Sequence, residues 1–104
     1  MKENREALRK YLGQQITVIV TYEKEIIYKK RNGRRIIRKL FVESYIETPK
    51  EEYVGHIHIN KDDFVKRPTF KKDRKYRLTG TVSTYTRENG SESLGLTHVT
   101  VEKL

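Results

Sequence analysis

Three groups of side chains in this 104-residue chain have the types and spacing to do chemistry. His56 and His58 lie two apart, so on a strand they point to the same side. With His98 they make a three-histidine set of the kind that holds zinc. The spacing permits a metal site without demanding one, since no carboxylate stands poised as a fourth ligand or an outer partner. Asp62, Asp63 and Asp73 are the only aspartates. Paired carboxylates can hold metal ions for phosphodiester hydrolysis. Side chains adjacent in sequence diverge on most backbones, however, and Asp62-Asp63 follows Asn60, where a helical turn needs a cap and acid near its positive end. No Ser-His-Asp or Cys-His logic is present, and no glycine-rich loop to cradle a phosphate. The residues read as a protein with no catalytic centre, no metal and no cofactor.

The third group is the informative one. Residues 29–39 read KKRNGRRIIRK, seven bases and no acid around Asn32-Gly33. Asn-Gly between two extended runs is the strongest short-range signal for a tight hairpin. Lys29, Lys30, Arg31, Arg34, Arg35, Arg38 and Lys39 then crowd one small protruding surface. Such a surface attracts phosphate backbones, independently of sequence and with strong salt dependence. The competing reading is a solvated, solubilising loop. The formal net charge is +9, and it is uneven: residues 29–39 carry +7, residues 61–77 carry +5, and the remainder is slightly acidic. That is a footprint for an anionic partner.

Length and composition bound the rest. A chain of this size has room for one domain with one modest core, 1–104, with an N-terminal helix over 1–13 and a β-barrel over 14–104. There are no cysteines, so disulfides and thiolate metal sites are excluded. No apolar run approaches the roughly 20 residues that span a bilayer, and the N-terminus lacks the apolar stretch of a secretory signal. The expectation is a cytoplasmic protein with no membrane partner.

The elements that must position these residues follow from the apolar pattern. Residues 3–12 fit a short helix, with Leu8, Tyr11 and Leu12 on one stripe and Gly13 at its C-terminal end. Residues 15–28 form a long strand, apolar on both sides near Ile19, as in a bent strand shared between two halves of a barrel. Its hairpin partner covers 35–47, where Lys39, Phe41 and Tyr45 share a face. Pro49 ends that run. A third strand covers 52–60. Asn60 caps a short helical connection stopped by Pro68, and Phe64 and Phe70 plug the barrel bottom. Strands over 74–87, with a bend or bulge at Gly80, and over 93–104, with an apolar phase shift between Leu96 and Val99, complete the set. Asn89-Gly90 turns between them. The edges at 14–20 and 94–101 are the segments able to pair between chains.

A helix, three strands, a helical connection and two strands make a mostly-β chain. Apart from its leading helix, this is the element order of the OB-fold, a five-stranded Greek-key barrel. The segment KKDRKYRLTGTVSTY resembles the G-D-x-[VY]-x-[LF]-x-G-x-V strand of that family, with Lys72-Asp73 where Gly-Asp is usual. VGHIHI resembles the D-H-[LIV]-W strand of small OB-like proteins from microbial genomes and mobile elements. His56 matches the histidine, and Gly55 and His58 stand where Asp and Trp would be. An SH3-like barrel is the rival, usually shorter and without the helical connector.

The resemblance implies binding of single-stranded DNA or RNA on the face of the second and third strands, between the loops 29–35 and 87–93. Phosphates would meet the seven bases of the hairpin. Tyr28, Phe41 and Tyr45 are the base-stacking candidates, Tyr22, Tyr53 and Tyr76 read as packing, and His56 and His58 would line the groove. A protein-interaction module or inhibitor docking the hairpin on an acidic partner, with Ile36 and Ile37 as anchors, is the second reading.

Overall fold

Alternation of β-branched and aromatic side chains with polar ones puts most of the chain into long strands. The computed structural model describes residues 5–86 and 90–104. Its five strands are β1 (Gln15–Lys29), β2 (Arg35–Ile46), β3 (Tyr53–Asn60), β4 (Lys75–Thr86) and β5 (Glu92–Lys103). Each expected strand is present to within one residue at either end. Residue 87 and the Asn89 half of the expected Asn89-Gly90 turn lie outside the described residues.

All neighbouring strands pair antiparallel, in the order β3-β2-β1-β4-β5. β1 is the shared strand: Gln15–Thr21 pairs with β4, and nearly its whole length pairs with β2. It bends where the sequence is apolar on both sides. The β1–β2 register slips between Ile19 and Thr21 and again between Tyr22 and Lys24, and Val18, Ile19 and Val20 are all buried.

The expected closure into a five-stranded barrel is corrected. No ladder joins β3 to β5 among the described residues, so the five strands form an open sheet. The two outer strands do approach each other. A Cβ on Gly95 in β5 would lie 3.5 Å from the His58 carbonyl oxygen in β3. Just beyond β3, Phe64 bridges Val99 in parallel, and Val65 N–H donates to the Val99 carbonyl at 2.9 Å.

Three backbone kinks set which side chains face inward. In β2, Glu43 adopts φ 52°, and the burial alternation changes phase there: Phe41 is buried before it, Ser44 and Ile46 after it. In β3, Gly55 at φ 87° does the same between Val54 and Ile57. In β5, His98 at φ 52° produces the expected shift between Leu96 and Val99. Gly80 sits at a register slip between β4 and β5, where a Cβ would come within 3.0 Å of both the Thr97 carbonyl oxygen and Val99 Cγ2.

The core is aliphatic around an aromatic centre. Val18, Val20, Ile57, Ile59, Leu78, Val82 and Val99 share one core with Phe41, whose ring lies 5.6 Å from Tyr22, 5.1 Å from Phe70 and 6.4 Å from Phe64. Phe70 also meets Tyr76 edge-on at 4.9 Å. With no closed barrel to plug, Phe64 is buried and Phe70 partly buried against this aromatic centre.

Both helical segments are 3₁₀ turns. The first runs Arg5–Tyr11, and residues 3 and 4 of the expected helix lie outside the described residues. A 3₁₀ helix repeats every three residues. Leu8 and Tyr11 therefore stay on the inner side, with Leu8 fully buried, while Leu12, expected on the same stripe, swings out to 47% exposure. This turn packs against β3, β4 and β5. Gly13, at φ 82°, closes it and donates to the Val82 carbonyl at 2.9 Å. The second turn is Lys61–Asp63, capped by Asn60 Oδ1, which accepts from Asp62 N–H at 3.3 Å. It ends at extended Phe64, so Pro68 is not what stops it.

Glu52, just before β3, ties the first turn down. It accepts from Tyr11 Oη at 2.9 Å and pairs with Lys10. These two partners hold its carboxyl below the usual range. A depressed carboxyl contributes stability above its unfolded value, about 4.3 for Glu, and loses it as pH falls through the folded one. Glu52→Gln should therefore melt below the parent protein at neutral pH. The two melting curves should converge as pH drops below about 4. A gap independent of pH would show that the charge is not involved.

Candidate nucleic-acid interface

The β1–β2 hairpin forms where Asn32-Gly33 predicts it. Strand pairing ends at Lys29 opposite Arg35. Lys30 N–H donates to the Arg34 carbonyl at 2.8 Å, Gly33 N–H to the Lys30 carbonyl at 2.9 Å, and Arg34 N–H to Asn32 Oδ1 at 3.0 Å. Arg31, Asn32 and Gly33 thus form a three-residue loop whose last position, at φ 81°, needs glycine. Lys29, Lys30, Arg31, Arg34 and Arg35 are all exposed around it.

Arg38 differs from them. It is half-buried, and its guanidinium carbon lies 5.0 Å from the Tyr28 ring centroid and 5.0 Å from that of Tyr85. Tyr28 stands at the base of the β1–β2 hairpin and Tyr85 near the end of β4. One planar cation therefore links the two hairpins through two aromatic faces. Beside this stack is a cavity of about 250 Å³ whose wall includes Arg38, His58, Asn60, Asp63, Tyr85 and Gly95. A second cavity, of about 350 Å³, is bounded by Lys30, Arg34, Arg35 and Lys61, with Asp62 at its edge.

The structure rearranges the other expected site residues. Phe41 is fully buried in the aromatic centre, so its expected role as a base platform is corrected. Lys39 is drawn into an ion pair with Glu25 at 2.8 Å, which pulls the Glu25 carboxyl down. Tyr45 does not share a face with Phe41. The phase change at Glu43 returns it, half-buried, to the face of Arg38 and Leu40, opposite Tyr53 of β3. His58 lines the cavity beside Arg38, and His56 lies one pleat further along β3, exposed. Among the described residues no group of three or more His, Cys, Asp or Glu side chains comes together as a metal site.

The 61–77 cluster divides. Lys61 joins the hairpin cavity. Arg77 is committed elsewhere: its Nε and Nη2 donate to Glu47 at 2.9 and 3.2 Å, and its Nη1 donates to Glu102 at 3.1 Å. Lys66 and Arg67 lie beside Val99 and Val101 of β5.

No protein-family model matches the chain, and neither does any curated protein or solved structure. No helix among the described residues is long and apolar enough to cross a membrane.

Sequence reasoning missed Tyr85, Asn60 and Asp63 as members of this site. Tyr85 carries no local signal that sets it apart from the other strand aromatics. Its meeting with Arg38 spans 47 positions and depends on β1 pairing with both β2 and β4. Asn60 and Asp63 had a sufficient local role as cap and capped turn.

Proposed function

We propose that the chain is a non-catalytic module that binds single-stranded DNA or RNA, on a frame that is an incompletely closed version of the OB barrel. The strand order β3-β2-β1-β4-β5 and the approach of β3 to β5 support the frame. The observation that carries the function is Arg38 held between Tyr28 and Tyr85, next to five exposed bases of one hairpin. Phosphates meet Lys29, Lys30, Arg31, Arg34 and Arg35, and bases stack near the Arg38 plane and the tyrosines.

Fluorescence anisotropy with a labelled oligo-dT, and with its ribose counterpart oligo-U, tests this. Binding should weaken steeply between about 50 and 200 mM salt. Replacing both Arg34 and Arg35 by alanine removes up to two phosphate contacts, so the slope of log affinity on log salt should become shallower by about 1.4. Absence of binding at low salt, or indifference to the double substitution, would overturn the reading.

A further inference from the structure

The cavity beside the Tyr28–Arg38–Tyr85 stack has a chemistry the hairpin lacks. The hairpin offers almost only donors and positive charge. The cavity adds a carboxylate, Asp63, and a side-chain amide, Asn60. At about 250 Å³ it is smaller than the roughly 300–1,000 Å³ of sites for drug-sized ligands and on the scale of one planar base.

The hydroxyls of Ser83, Thr84 and Thr97 in its wall can donate or accept, but Asn60 and Asp63 are more restricted. Asn60 Oδ1 accepts from Asp62 N–H at 3.3 Å, and its Nδ2 remains available to donate. An ionised Asp63 can only accept. Burial, with Asp62 beside it, pushes the Asp63 carboxyl up, while His98 pulls it the other way. A donor next to a two-oxygen acceptor complements one Watson–Crick edge best. Guanine presents O6 as acceptor, then N1–H and N2–H as donors. Adenine puts its N1 acceptor against the carboxylate, cytosine puts N3 and O2 there, and uracil or thymine puts O2 there. Each mismatch leaves a desolvated acceptor facing another.

The flat walls suit a ring. The Arg38 guanidinium and the Tyr85 phenol are planar, and Gly95 lets Tyr85 lie close against β5, since a Cβ there would press to 3.3 Å from two of its ring carbons.

We propose that this cavity reads a single guanine within a bound strand, Asn60 donating to O6 and Asp63 accepting from N1–H and N2–H, with the ring seated beside Arg38 and Tyr85. The inference rests on the nucleic-acid reading above and adds base selectivity to it.

The test places one guanine, hypoxanthine or adenine in the middle of an otherwise all-thymine oligonucleotide, with the same series in ribose form on a uracil background, and measures affinity by anisotropy. Guanine should bind about 5- to 150-fold more tightly than adenine, the range for one well-made bidentate base contact, with hypoxanthine between because it lacks the N2 amine. Asp63→Ala should bring guanine to within about twofold of adenine. The base series on the unaltered protein needs no variant to fold. Equal affinity for the three bases, with tight binding throughout, would overturn the guanine assignment and leave the binding function standing. A guanine preference untouched by Asp63→Ala would overturn it too. No binding to any strand would remove the function itself.

Discussion

Phe41→Ala is expected to lower the free energy of unfolding by about 3–5 kcal/mol, the usual cost of deleting a buried aromatic ring. The ring has no solvent exposure and sits where Tyr22, Phe64 and Phe70 converge. Those neighbours come from β1 and from the segment joining β3 to β4, so the void cannot be filled by one side chain turning over. Domains of this kind are stable by only about 5–15 kcal/mol in all. The loss should therefore show as a large fall in the urea midpoint, with the denaturant slope unchanged. A change under about 1 kcal/mol would mean that the aromatic centre is not what holds β1 and β2 to the segment beneath them.

Arg38→Ala is expected to weaken oligonucleotide binding by about 5- to 150-fold, equivalent to the 1–3 kcal/mol of one stacking platform. Tyr28 and Tyr85 lose the cation that links them, and the groove loses its flat, charged wall. Arg38→Lys restores the charge without the plane. Lysine should therefore recover the salt slope and leave most of the affinity loss in place. Recovery of full affinity by lysine would show that Arg38 serves only as a point charge. Melting temperatures of all three proteins, measured alongside, separate lost binding from lost folding.

The strands were legible because each is a long run of β-branched and aromatic residues, and the hairpin because Asn32-Gly33 lies between two such runs. The site was legible only in part. Arg34, Arg35 and Arg38 come from one local element, and they stand where that element puts them. Phe41 and Tyr45 were assigned to one face by counting in twos, and counting fails wherever a residue is inserted. Glu43, a glutamate at φ 52°, gives no compositional warning of the kink it makes. The phase shift in β5 was readable because Leu96 and Val99 are both apolar and three apart. In β2 the first residue buried after the kink is the polar Ser44, and Ile46 beyond it reads equally well as the opposite face of an unbroken strand. Barrel closure failed for another reason: element order does not say whether the outer strands come near enough to share hydrogen bonds.

The double partnership of β1 has a consequence in time. β1 can join β2 as soon as the hairpin leaves the ribosome, because the two are neighbours in sequence. Its other edge must wait for β4: Val18 pairs with Leu78, 60 positions later. At synthesis rates of about 5–20 residues per second, that edge stands bare for roughly 3–12 seconds. Leu8 waits longer still, since β5, one of the strands that covers it, is the last to be made. The growing chain is most exposed to sticking during that interval, and the elongation rate sets how long it lasts.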